Sequence, residues 1–324
     1  MVDWLDSYQQ RHPWLGFPLA VVYKFVDDQG GYLAALLAYY GFLALFPLLL
    51  LAVTILGFLL DGDPDLQAKI LDSALREIPV LGGELRNNVH ALHGSVRALV
   101  IGLLIALYGV LNGSTAAQSA LDRIWGVPRY RRPDPFTARA RGVLLLAVLG
   151  VGILVTTVVS ELPSHGFLTV VTTVAAVVVN AGILLAAYKL LTVRPLRFRD
   201  LWPGAVTAAV AWQLLQTVGA YYVRHELQGA SQVYGVFGIV LGLLAWIYLG
   251  ALIVLIGAEI NAVRTDRLWP RSLRSAFTDN DDLTHADRRS YESYAQTEQH
   301  KGFEEIDVSF PDTQAEGRRS DRGT

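Results

Sequence analysis

The twenty-eight residues from Leu33 to Leu60, LAALLAYYGFLALFPLLLLAVTILGFLL, contain no charged side chain. A hydrocarbon layer about 30 Å thick is crossed by about 20 residues of helix. One Asp, Lys or Arg at the middle of such a helix costs about 3 kcal/mol on insertion. Five further uncharged runs follow, at Ala98–Leu121, Gly142–Ser160, Phe167–Tyr188, Leu201–Val223 and Leu227–Ala258. A buried soluble helix could mimic one run, but hardly six. The apolar residues come in blocks rather than alternating, which excludes a membrane β-barrel. The first run follows some thirty residues and lacks a small-x-small cleavage site, so it does not read as a cleavable signal. The expected fold class is an all-α membrane protein with six transmembrane helices.

Composition agrees. The 324 residues are 52% hydrophobic and 17% charged, whereas soluble domains carry about 25% charge. The charge that is present concentrates in residues 265–324. With no cysteine in the chain, disulfide frameworks, zinc ribbons and thiol catalysis are excluded. A net charge of −2 argues against a nucleic-acid binder held by a bulk basic field.

Orientation follows from the basic residues. Arg11 and Lys24 precede the first run, and six arginines from Arg123 to Arg141 lie between the second and third. Lys189, Arg194, Arg197 and Arg199 join the fourth to the fifth, and Arg264, Arg267, Arg271 and Arg274 follow the sixth. That side carries sixteen Lys and Arg, and the opposite loops carry five. The positive-inside rule then puts both termini in the cytoplasm. Residues 1–30 read as an N-terminal interfacial segment with Trp4, Trp14 and Phe17 at the inner leaflet. Residues 31–264 read as the six-helix transmembrane domain. Residues 265–324, charged and without sustained periodicity, read as a disordered cytoplasmic tail. In the external segment 61–97, Asp63 and Pro64 suggest a helix start, and Leu66, Ile70, Ala74 and Ile78 form the stripe of a short amphipathic helix.

Polar residues inside hydrocarbon must face partners or water. The second span places Gly102, Ala106, Gly109, Gly113 and Ala117 on one face for close helix packing. It then adds Asn112, Ser114, Thr115, Gln118 and Ser119 within two turns. Asn180 lies in the fourth span and Gln213 and Gln216 in the fifth. Asn112, Gln118, Asn180 and Gln213 are the candidates for a substrate path; hydrogen bonds between helices are the competing account. Pro47 removes a backbone hydrogen bond in the first span and permits a kink. Glu259 ends the sixth span, where a carboxylate opposes the helix dipole and needs a compensating cation. Arg123, Arg197 and Arg199, on the same membrane face, are the expected partners and the candidates for contact with lipid headgroups.

Soluble chemistry finds little support. His90 and His93 lack a third ligand at a telling spacing. Asp61, Asp63 and Asp65 imitate a calcium loop, but Leu66 stands where glycine is needed. Asp279, Asp281, Asp282, His285 and Asp287 form an acidic patch in the expected disordered tail. No catalytic residue, metal site or cofactor is therefore assigned.

Several segments resemble the YihY/BrkB family: Ala38-Tyr39-Tyr40 through Phe46-Pro47-Leu48, Leu121-Asp122-Arg123-Ile124-Trp125-Gly126-Val127, Arg197-Phe198-Arg199-Asp200-Leu201-Trp202-Pro203-Gly204, Tyr234-Gly235-Val236-Phe237-Gly238, Trp246-Ile247-Tyr248-Leu249 and Gly257-Ala258-Glu259-Ile260-Asn261-Ala262. They cover about residues 25–270 in family order. Asp122 stands where the family often has Asn, and a carboxylate cannot donate as an amide does. The resemblance implies a bacterial inner-membrane protein with a six-helix core. The family has carried a ribonuclease BN label, which no ordered metal-binding cluster in this sequence supports, so an enzyme is not expected. The leading expectation is a transporter-like protein moving a lipid or amphipathic solute, with the bilayer and anionic headgroups as partners and no nucleic acid. The alternative is a non-transporting envelope scaffold. Substrate and oligomeric state are not legible.

Overall fold

A computed structural model describes residues 2–59, 96–160, 167–225, 227–273 and 283–310. Among these residues the chain forms nine α-helices. Two precede the bundle, α1 (Val2–Arg11) and α2 (Pro13–Asp27). Six are long: α3 (Gly30–Leu59), α4 (Val96–Ile124), α5 (Pro135–Ser160), α6 (Phe167–Leu191), α7 (Phe198–His225) and α8 (Leu227–Asp266). The last is α9 (His285–Thr297). The amphipathic helix expected in segment 61–97 lies outside the described residues, apart from the first residues of α4. Helix α3 continues past Pro47 to Leu59.

The six long helices make a ring in chain order, each packed on the next, and α8 closes it against α3. Helix α4 also reaches α6 and α8 across the ring. Stretches long and apolar enough to cross a membrane are Pro135–Thr156 in α5, Thr169–Leu191 in α6 and Val240–Asp266 in α8. Outward positions such as Val143, Val151, Val178, Leu214 and Val218 are exposed. In water these rows would form one large apolar patch of the kind soluble monomers avoid. In lipid they are the solvated face.

The buried core lies toward the end of the ring where the basic loops gather, around Ile124, Trp125, Tyr188, Leu201 and Leu255. Small residues set its closest approach. A Cβ on Gly204 of α7 would collide with the Gly257 carbonyl of α8 and lie 2.6 Å from Asn261 Nδ2. That proximity lets the buried Asn261 side chain bridge the two helices. Its Oδ1 accepts from the Gly204 N–H at 2.7 Å, and its Nδ2 donates to the Leu201 carbonyl at 2.8 Å. Pro203 has no N–H to offer the Arg199 carbonyl one turn back, and Arg264 Nη1 donates to that carbonyl at 3.4 Å. On α6, Tyr188 donates its hydroxyl to the Val254 carbonyl of α8 at 2.6 Å.

Helix α4 ends in a Schellman turn. The Val127 N–H bonds the Asp122 carbonyl and the Gly126 N–H the Arg123 carbonyl, with Gly126 at φ +61°, the left-handed conformation glycine adopts without penalty.

The N-terminal segment is tied to the bundle: Ala20 and Val21 of α2 pack into a core with Val263 and Leu268, while Trp4 and Trp14 remain exposed. One expectation differs: the described residues beyond 265 are ordered rather than a disordered tail. Residues 283–310 are folded, and α9 starts from a capping box in which Thr284 and Asp287 bond reciprocally. The segment has no apolar stripe to signal this order. Hydrogen bonds and ion pairs to the rest of the chain hold it instead.

The α7–α8 crossing generates a test. Gly204→Ala forces the two backbones apart and should cost about 1–3 kcal/mol of stability, the usual penalty of overpacking. Gly182→Ala, with open space around its Cβ, should be neutral or slightly stabilising because alanine favours helix. Thermal unfolding in detergent separates the two; equal melting temperatures would contradict the close crossing.

Candidate functional site

A two-layered polar cluster and a cavity between the helices stand out among the described residues. The first layer is a buried charge cluster at the basic end. Lys24 of α2 pairs with Asp28 at 2.5 Å, one helical turn on, and with Glu259 of α8 at 3.6 Å. Lys24, Asp28 and Glu259 are each less than 5% exposed. Burial works to strip the Lys24 ammonium of its proton, but Glu259 and Asp28 outweigh it and hold its pKa above the ordinary lysine value. Neither oxygen of Glu259 lies within hydrogen-bond distance of a partner. Two carboxylates thus share one ammonium in a dry setting.

This differs from the expected pairing of Glu259 with Arg123, Arg197 or Arg199. Arg197 and Arg199 are exposed and Arg123 is half-buried, and among the described residues none forms an ion pair with Glu259. The compensating cation comes from α2, because that helix packs along the end of α8. The i, i+4 spacing of Lys24 and Asp28 was present in the sequence, but a lone lysine beside aromatic residues reads equally well as an interfacial anchor.

A second layer covers this cluster. Arg271 is buried and bonds Asp27 at 2.7 Å and Asp287 at 2.9 Å. Burial opposes its charge, and the bonds to the two carboxylates outweigh burial and raise its pKa. Tyr23 and Tyr291 stack against the guanidinium at 5.6 and 5.7 Å. Tyr294 of α9 donates to Asp27 at 3.1 Å and lies 5.6 Å from the Lys24 ammonium. Helix α9 also sits over the glycine turn, where a Cβ on Gly126 would lie 2.5 Å from Ser293 Oγ, and Arg129 pairs with Glu298 at 2.6 Å. Of the acidic tail patch, Asp279, Asp281 and Asp282 lie outside the described residues, His285 opens α9, and Asp287 is committed to Arg271 and the cap. No group of three or more His, Asp or Glu among the described residues is placed to hold a metal ion. The pair His90 and His93 lies outside them.

The cavity lies between α5, α6, α7 and α8, has a volume of about 330 Å³, and includes Gly152, Thr156, Asn180, Ile183 and Trp212 among its lining residues. Of the four path candidates, only Asn180 lines it. Asn112 donates to the Tyr108 carbonyl of its own helix at 2.7 Å. Gln118 is buried and donates to the Ala138 carbonyl at 2.8 Å, joining α4 to α5. Gln213 is half-buried on α7, next to the cavity-lining Trp212. The structure therefore does not bring the four together. Asp122 is buried, and its carboxylate accepts from the Val193 N–H at 3.4 Å. Acceptance is all this contact asks of it, and the carboxylate supplies that as well as the family's amide.

Comparison with known proteins identifies relatives of this chain. The family model described as Virulence factor BrkB matches residues 21–277. The putative ribonuclease-like protein YfkH of Bacillus subtilis is 26% identical over 263 residues, covering 74% of this chain and 92% of that protein. The inner membrane protein YhjD of Escherichia coli is 24% identical over 272 residues, covering 76% and 80%. The UPF0761 membrane protein PSHAa0171 of Pseudoalteromonas translucida is 26% identical over 272 residues, covering 80% and 88%. No solved structure matches the chain. The chain belongs to the BrkB family and is an integral membrane protein.

Removing one partner of a buried ion pair leaves the other charge uncompensated, at about 3–5 kcal/mol. Lys24→Met should therefore destabilise the protein by about that much, since it strands two acids. Glu259→Gln should cost distinctly less, because the Lys24–Asp28 pair survives it. Chemical denaturation in detergent compares the two, and the shared-ammonium arrangement is wrong if Glu259→Gln is the more damaging.

Proposed function

We propose that the chain is a multi-pass inner-membrane protein whose six long helices all cross the bilayer, with both termini in the cytoplasm, and that it handles a lipid or amphipathic solute in a transporter-like way. The observation that supports this reading is the cavity between α5 and α8. Its volume of about 330 Å³ is within the range of ligand pockets, roughly 300–1,000 Å³. Its lining residues are chiefly aliphatic, with Asn180, Thr156 and Trp212 as the polar or amphipathic ones, the Thr156 hydroxyl donating to the Gly152 carbonyl of its own helix at 2.9 Å. An apolar chamber with a few polar groups suits an alkyl chain attached to a small polar group better than it suits a bare ion.

A non-transporting scaffold is the second reading. It draws on Asn112 and Gln118, whose amides are spent on backbone carbonyls within the bundle. The ribonuclease-like name belongs to the Bacillus relative, and nothing in the described residues extends it to this chain.

The absence of native cysteine makes the test direct. In reconstituted vesicles, Asn180→Cys should react with a water-soluble maleimide and Gln118→Cys should not. Ile183→Trp, which fills the cavity, should abolish the Asn180→Cys reaction and reduce flux of a fluorescent phospholipid to that of empty vesicles. Flux unchanged by Ile183→Trp would remove the cavity from the pathway and favour the scaffold.

A further inference from the structure

A second cavity, of about 500 Å³, lies on the seam between α5 and α6 at the basic end of the bundle. Three polar side chains meet there: Arg141 from the first turns of α5, Lys189 from the last turns of α6, and Thr192 just after it. Leu144 and Val148 of α5 and Leu190 of α6 continue the lining. Leu144 is 52% exposed, so the seam faces outward.

The polar atoms are incompletely used. Arg141 Nη1 is buried and has no hydrogen-bond partner. The Thr192 hydroxyl is likewise buried without a partner, on a residue only 5% exposed. Lys189 donates to the Leu196 carbonyl and leans on the Phe198 ring at 5.8 Å, which leaves further donors on an ammonium that has three. Among the described residues neither cation has a carboxylate within ion-pair distance. The acid that senses Arg141, Asp122, is bonded to the Val193 amide. Native structures seldom leave buried donors unsatisfied, and such groups call for a missing partner. The partner that fits is an acceptor-rich anion.

We propose that this groove binds an anionic phospholipid, with the headgroup phosphate on Arg141, Lys189 and Thr192 and an acyl chain along Leu144, Val148 and Leu190. A free phosphate would use the same three donors, but it would leave the aliphatic wall beside them without a role. The charged end and the apolar wall are continuous, and both lie on the outer surface of a bundle embedded in lipid. This site is separate from the cavity lined by Asn180 and does not depend on transport. Binding here would stand even if no flux were found.

Native mass spectrometry of the full-length protein in detergent tests the proposal, with phosphatidylglycerol, phosphatidylcholine, glycerol phosphate and inorganic phosphate as probes. Phosphatidylglycerol should bind more tightly than phosphatidylcholine. Arg141→Gln and Lys189→Gln should each weaken it about tenfold, the loss expected for one charge-assisted contact, and Thr192→Val by less. Lys189→Arg should retain binding, which separates loss of charge from loss of fold. Val148→Trp should block the lipid while leaving the melting temperature within the range of the other variants. Equal binding of the two lipids, or wild-type binding by Arg141→Gln and Lys189→Gln, would overturn the site. So would inorganic phosphate or glycerol phosphate displacing the lipid at comparable concentration, since that would make it a free-anion site.

Discussion

A single ammonium group organises the basic end of this protein. Lys24 carries its charge at a position closed to water, and a buried charge persists only where paired. Asp28 and Glu259 supply the pairing, and they come from different parts of the chain. Satisfying them fixes α2 against the end of α8. Two acids around one ammonium leave negative potential behind, and the next layer answers it. Arg271 stands between Asp27 and Asp287, and the ring of Tyr294 faces Lys24. Helix α9, which has hardly any apolar surface of its own, is held because it completes this alternation of charge. Ion pairs exposed to water add little stability. Those at Lys24 and Arg271 are buried, and their disruption is correspondingly costly.

The helices above this end are joined differently. Gly204 and Gly257 bring α7 and α8 to backbone contact, and Asn261 uses that proximity to bond the first two turns of α7 from the side. Tyr188 ties α6 to the same stretch of α8. Lipid tails compete with apolar side chains on equal terms, so small residues and hydrogen bonds, rather than hydrophobic burial, set such contacts. Both devices cluster at the basic end. The cavity adjoins these ties, since Val254, which accepts from Tyr188, is among its lining residues. The ties thus bound one end of the chamber.

The membrane class was legible because hydrocarbon imposes a rule that can be read one residue at a time: long runs without charge. The run ending at Tyr188 matches α6 closely, whereas α8 continues past Ala258 to Asp266. That extension hides the true setting of Glu259, which is about two turns inside a helix rather than at its end. The partner of Glu259 was missed because basic residues near a span all look alike in sequence. Only the packing of α2 on α8 distinguishes Lys24 from Arg123, Arg197 and Arg199. The order of α9 was missed for a related reason. Its signals are the pattern Thr284-x-x-Asp287 and a set of charges, and such charges read as solvated until Arg271 and Asp27 are seen to meet them. Polar residues inside the spans were read as one group because sequence gives their depth but not their facing.

That last point separates the fates of four chemically similar side chains. The amide of Gln118 reaches a carbonyl of the neighbouring helix and that of Asn112 a carbonyl of its own; each bond satisfies a donor within the bundle. Asn180 faces a space instead. Keeping an amide in an apolar setting is costly wherever it lacks a partner, about 1–3 kcal/mol by protein measurements. A polar group kept on the wall of an otherwise apolar chamber makes sense when something polar visits it. Under the proposed reading that visitor is the polar end of an amphipathic molecule, whose chain occupies the space bounded by Gly152 and Ile183. The cost of Asn180 in the empty protein then becomes differential affinity for the occupied one, which is the only means by which a ligand can shift a conformational equilibrium.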